Sequence, residues 1–247
     1  MRLVVLAALL LCSISAQAKF VVYKTELTTD QFTETAAQLK EMHLLKDIAD
    51  QLNGAIKVEA KVGMRFAECD EENSFYDPET KTISMCLELV QGFYTSLKKK
   101  GQSKKQLNDA VAGAFLFYVY HEIGHALIDV LEVPITGREE DAADQLAAWL
   151  LIDNGEGDKA ALDAAMSFSY DAMQADSVED TDYADEHSLS RQRYFNIVCW
   201  VYGSSPDSYP DLVSEKMLPD DRAEQCSGEY EQIDRSWNKL LAKYIKQ

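Results

Sequence analysis

The sequence is short of the residues that interrupt regular structure, with 11 glycines and 5 prolines in 247 residues and no tract of low complexity. That scarcity excludes collagen-like, linker-rich and disordered chains. Positive charge is also scarce, 24 Lys and Arg against 42 Asp and Glu, for a net charge of -18. So acidic a chain is a poor partner for nucleic acid or an anionic membrane surface. Beyond its first residues no apolar run reads as long enough to cross a bilayer, so stable membrane insertion is not expected. Apolar side chains are plentiful, 47% of the residues, enough to fill a sizeable core.

The first eighteen residues read as a leader rather than as part of the fold. Met1-Arg2 is a short basic start, an apolar run follows as far as Cys12, and Ala16-Gln17-Ala18 is a small-x-small cleavage site. Leu11 before Cys12 is too large for lipoprotein processing. The expected mature chain begins at Lys19 and is exported, to the periplasm or beyond, as a single domain over 19–247. Four cysteines remain there: Cys69, Cys86, Cys199 and Cys226. An even number in an oxidising compartment predicts two disulfides. Cys69 and Cys86 bracket a hairpin pattern and Cys199 and Cys226 a loop-rich stretch, which favours those two local pairs. A four-thiolate zinc site would want a CxxC spacing that is missing.

Apolar residues recur every three or four positions over 28–52, predicting one amphipathic helix capped by Thr29 or Asp30. The period changes to two over 56–62, then 64–69 and the pattern around Asp77-Pro78-Glu79-Thr80 predict further short strands. Helices are predicted over 88–99, 105–131, 138–152, 158–173, 188–202 and 227–245. The expected class is α+β, a small sheet followed by helices. Trp149, Trp200 and Trp237 fall on helical patterns as core residues. The acidic run formed by Asp176, Glu179, Asp180, Asp182, Asp185 and Glu186 lacks EF-hand spacing and reads as a solvated loop.

The informative stretch is His121-Glu122-Ile123-Gly124-His125, inside the long apolar helix. Residues four apart on a helix lie one turn apart on one face, so both imidazoles can reach one ion. Buried polar side chains are costly unless compensated, and a metal compensates all of them together. Glu122 is placed to act as a base on water at the metal rather than as a ligand. Among the acids that follow, Thr136 and Glu139 are spaced as a capping box, which would give Glu139 a structural task. Glu140 and Asp144 share a face, so Glu140 is the expected third ligand and Asp144 the acceptor for the outer N–H of a ligating histidine. Gly124 is expected either to admit a backbone close to this helix or to serve helix packing.

His121 to His125 followed by Glu140-Asp141-Ala142-Ala143-Asp144 resembles the HExxH plus ExxAD arrangement of gluzincin zinc metallopeptidases. Nearly the whole mature chain is similar to a bacterial family of secreted proteins described as metallopeptidases, whose function is uncharacterised. That likeness extends to 73–78, Gly137-Arg138-Glu139-Glu140, 187–193 and 199–203. It implies a zincin-like fold: a mixed sheet with an edge strand beside the cleft, an active-site helix and a glutamate helix across it. On that reading the strand at 82–86 is the edge to which an extended peptide adds.

The implied activity is zinc-dependent hydrolysis of a peptide or protein, with Glu122 as general base. A second donor is then needed for the negative charge of the tetrahedral intermediate. His43 sits in the first helix pattern and His187 opens a later one, so His187 is the expected donor, with Arg191, Arg193, Tyr118 and Tyr120 as substitutes. The rival reading is an exported, catalytically silent zinc-binding module, whose ion would be closed off by a fourth protein ligand. Oligomeric state is left open.

Overall fold

A computed structural model describes residues 19–153, 157–175 and 177–246. Residues 1–18, expected as a leader, Asp176 and most of the Asn154-Gly155-Glu156-Gly157 break therefore lie outside the described residues. The front of the chain builds a mixed sheet from β1 (Phe20–Val22), β2 (Val62–Ala67), β3 (Ser74–Asp77) and β4 (Thr82–Cys86). Its order is β1-β2-β4-β3, parallel except for the β3/β4 hairpin. β2 and β4 are central because both their faces are apolar and covered, with Met64, Ile83 and Met85 fully buried. The expectation that 82–86 forms the edge is thus corrected: β4 lies inside the sheet, and the edges are β1 and the more polar β3.

Two helices, α1 (Thr33–Glu41) and α2 (Leu44–Ala55), replace the single helix expected over 28–52. His43 between them has φ 54°, a left-handed conformation that ends one helix and starts the next. Thr29 does not cap α1, whose cap position is Phe32; its hydroxyl bonds Glu68 and accepts from Gln31 N–H instead. The alternating pattern over 56–62 yields no strand before Val62, only a bridge of Ile56 to Ile245. β1 was not expected: Phe20, Val21 and Val22 are good strand formers but too few to mark a strand, and they pair with β2.

The helices follow as α3 (Leu87–Ser96), α4 (Lys104–Val130), α5 (Glu139–Asp153), α6 (Asp158–Gln174), the short α7 (Asp180–Ala184), α8 (Ser190–Ser204), α9 (Pro210–Ser214) and α10 (Asp220–Leu241). α4 starts at a full capping box, Ser103 with Gln106, and runs through the middle of the molecule. By length and composition α4 is apolar enough to cross a membrane, contrary to the sequence reading, yet it is mostly buried inside the protein. One hydrophobic cluster connects the sheet with α4, α5, α6, α8 and α10 and includes all three tryptophans. Cys69–Cys86 and Cys199–Cys226 are both bonded, with Cα atoms 5.5 and 5.2 Å apart, the first closing the β3/β4 hairpin and the second tying α8 to α10. The acidic run is not wholly irregular, because α7 lies within it.

Candidate metal centre

α4 carries His121 and His125 on the face that α5 covers, and α5 delivers Glu140 from its first turn. One donor atom from each of these three side chains lies within 4.8 Å of the others. Nε2 of His121 is 3.2 Å from Nε2 of His125 and 3.1 Å from Oε2 of Glu140, and His125 Nε2 is 3.3 Å from Oε1. Glu140 Oε2 is buried and has no hydrogen bond of good geometry. Lone pairs of two imidazoles and a carboxylate converging on one point, with a buried oxygen unsatisfied, fit a cation of the zinc type.

The close fit of α4 to α5 depends on Gly124. A methyl group there would meet Ala143 Cα at 3.1 Å and its Cβ and carbonyl oxygen at 3.3 Å. The two roles expected for Gly124 coincide: it admits the backbone of Ala143 close to α4, and that approach is how α4 and α5 pack. Gly124→Ala is expected to cost about 1–3 kcal/mol by overpacking and to weaken metal binding, read from denaturant unfolding and from competition with a chelator. Unchanged values in both would show that α5 gives way freely.

Both imidazoles are held from behind. His121 Nδ1 is 2.9 Å from Asp144 Oδ1, as the sequence led one to expect. His125 Nδ1 is 2.9 Å from Glu139 Oε1, which was not foreseen. The capping role expected for Glu139 is wrong because the cap position falls at Arg138, two residues after Thr136. Arg138 accepts the first helical bond, from Ala142 N–H, so Glu139 occupies the first helical position and its side chain turns toward α4.

Asp144 is in turn gripped by Arg193 of α8, whose Nε and Nη2 each donate over 2.8 Å. The guanidinium carbon sits 4.0 Å from the Phe168 ring centroid. Burial alone would raise the Asp144 carboxyl, but Arg193 and His121 hold it well below the usual carboxylate range. Arg193 is therefore committed to Asp144 rather than facing the cleft. Arg193→Ala leaves a buried carboxylate without its counter-charge and is expected to cost about 3–5 kcal/mol in the metal-free protein, measured by denaturant unfolding. A loss under about 1 kcal/mol would mean that the pair adds nothing net.

The cleft beside the three donors holds about 730 Å³ and is bordered by β3, α4, the start of α5 and the segment 185–187. Glu122 faces it, buried, with Oε1 accepting a 2.8 Å hydrogen bond from Ser74 Oγ of β3. Ser74 was missed because nothing local marks a serine whose partner is 48 residues away. His187 also faces the cleft, its Nε2 3.0 Å from Glu140 Oε2 and its Nδ1 3.0 Å from Asp185 Oδ1. Arg138 fixes this segment by donating to the carbonyls of Asp185 and His187. The substitutes named for His187 do not border the cleft: Arg191 packs on Tyr194 and Phe195, Tyr118 stacks on Phe168, and Tyr120 is buried. Tyr76 does border it, with its hydroxyl donated to Asp129, which also takes Lys81.

Burial disfavours charge on His125, yet Glu140 and Glu139 outweigh it and raise the ring to about 9. Glu140 is pushed upward by burial and, more strongly, far downward by the three imidazoles around it. Protons thus compete with a cation for these ligands, as they do at metal sites generally.

The fold is α+β and zincin-like, and a helix-borne pair of histidines and a glutamate from the next helix are grouped so that they could hold a metal ion. A family described as "putative metallopeptidase" matches residues 23–241, and the chain belongs to that family. No curated protein and no solved structure matches it.

Proposed function

We propose that this chain is a zinc-dependent peptidase that cuts within peptide chains. The observation that carries this reading is the convergence of His121, His125 and Glu140 at the floor of a cleft into which Glu122 also points. His121, His125 and Glu140 would hold the ion, with Asp144 and Glu139 fixing the two imidazoles. Bound there, zinc supplies a Lewis acid that makes a water nucleophilic near neutral pH and polarises a carbonyl.

The chain's own groups account for the rest. Glu122 takes a proton from the attacking water as its oxygen bonds the carbonyl carbon, then returns that proton to the amine nitrogen as the C–N bond breaks. Ser74 keeps the Glu122 carboxylate aimed at the cleft. His187 donates to the oxygen that gains negative charge, once substrate draws it from Glu140. An extended substrate is supported at the free side of β3, the edge strand that borders the cleft. Among the described residues the donor set holds three protein side chains rather than four, which supports a hydrolase over a silent zinc module. The leader and the two disulfides support export to the periplasm or beyond.

The test is digestion of a mixed peptide library, with products read by mass spectrometry. Cleavage is expected from zinc-loaded protein, lost on chelation and restored by added zinc. Products that persist at the same rate after chelation, or a loaded protein that cuts nothing, would overturn the assignment.

A further inference from the structure

The sheet has a second open edge, on the side away from the metal centre. β1 turns alternate residues toward β2: the Lys19 carbonyl accepts from Val62 N–H over 2.7 Å, and Tyr23 N–H donates to the Met64 carbonyl over 2.8 Å. Phe20 and Val22 between them point their backbone groups outward. At Phe20 the outer side is taken by Asn53 of α2, whose Oδ1 accepts from the N–H and whose Nδ2 donates to the carbonyl, both over 2.9 Å. Asn53 thus stands in for one residue of a neighbouring strand. At Val22 no partner for the outward backbone groups is present among the described residues, and Lys24, just past the end of β1, has no backbone partner there either.

In front of this stretch runs a groove of about 440 Å³, between the 22–27 segment and helices α1 and α2. Ala36, Leu45 and Phe66 form its buried floor. Its ionisable margin consists of Lys24, Lys40, His43 and Lys46, apart from the Tyr23 phenol, and no Asp or Glu lines it. In a chain with 42 acids and 24 bases that is a local reversal of charge. Lys46 is paired with Asp50, whereas Lys24 and Lys40 have no ionic partner among the described residues.

The geometry points to this groove as a docking site for an extended acidic peptide segment that adds to β1 as a fifth strand. The open backbone groups of Val22 and Lys24 call for a strand, and the apolar floor takes its alternate side chains. The lysines at the margin select carboxylates on the remaining ones. A second copy of this chain is a poor occupant, since two β1 edges brought together would set Lys24 and Lys40 against their own counterparts. The site shares no lining residue with the metal cleft and does not depend on the activity proposed for it.

The probe is a fluorescein-labelled hexapeptide alternating Val and Glu, capped at its C terminus and followed by fluorescence anisotropy. Protein carrying Glu122→Gln is used so that cleavage does not intervene. Saturable binding is expected, weakened at least about tenfold by Lys24→Glu with Lys40→Glu, by Lys in place of Glu in the peptide, and by N-methylation of alternate peptide amides. Both lysines are exposed, so their replacement leaves the fold intact. No saturable binding, or equal binding of the charge-reversed or N-methylated peptide, overturns the proposal. So does binding that ignores Lys24 and Lys40 but is lost with Phe75→Asp, which would place the peptide in the metal cleft. Dodecanoate that binds where the peptide does not would give the groove to an alkyl carboxylate instead.

Discussion

Glu122→Gln is expected to abolish peptide hydrolysis, with kcat down by about 10²–10⁴-fold, while the fold and the bound metal are kept. The substitution is nearly isosteric, and the amide still accepts from Ser74 Oγ at the position where Oε1 now does. What it removes is the ability to take a proton. Glu122 has no place among the three converging donors, so metal content should not change. The measurement pairs turnover of a peptide found by library digestion with metal analysis and thermal unfolding of the same preparation. Turnover equal to wild type removes Glu122 as the base; lost metal together with lost turnover would make it a ligand.

Glu140→Ala should remove most of the metal affinity, because it deletes a ligand and leaves only the two imidazoles of α4. Glu139→Ala should retain a metal-binding site but weaken it by about 10–100-fold, since it deprives His125 of the acceptor that orients its ring. The order of the two effects separates a ligand from the group that holds a ligand in place. Chelator competition gives both constants on one scale. Equal losses would mean that the wrong acid has been placed on the metal, and no loss in Glu139→Ala would mean that His125 is held well enough by packing alone.

The legibility of the site followed the range of its interactions. His121, Glu122 and His125 were read directly, because helix geometry turns a spacing of four into a shared face. Glu140 and Asp144 were read from the same rule applied to the next helix. The cap of α5 lies two residues beyond Thr136, and that shift makes Glu139 the partner of His125 instead of the third residue of a capping box. Ser74 and Arg193 reach the site across 48 and 49 residues respectively, and no local pattern carries such distances. The strands show the same division. The β3/β4 hairpin was legible through its turn, whereas β1 was not, and the place of β4 inside the sheet depends on its parallel pairing with β2.

Sequence alone therefore determined the helices with a sustained apolar period, the hairpin with its disulfide, and the histidine pair with its glutamates, features whose parts lie within one element or in adjacent ones. Tertiary structure decided which strand became the edge, where the helix at residue 43 broke, and that Glu139 stands behind His125 and Arg193 behind Asp144. The physical reason is that hydrophobic period and helix geometry act over one or two turns. Sheet order and buried polar pairing are settled only when distant segments compete for the same partners during packing.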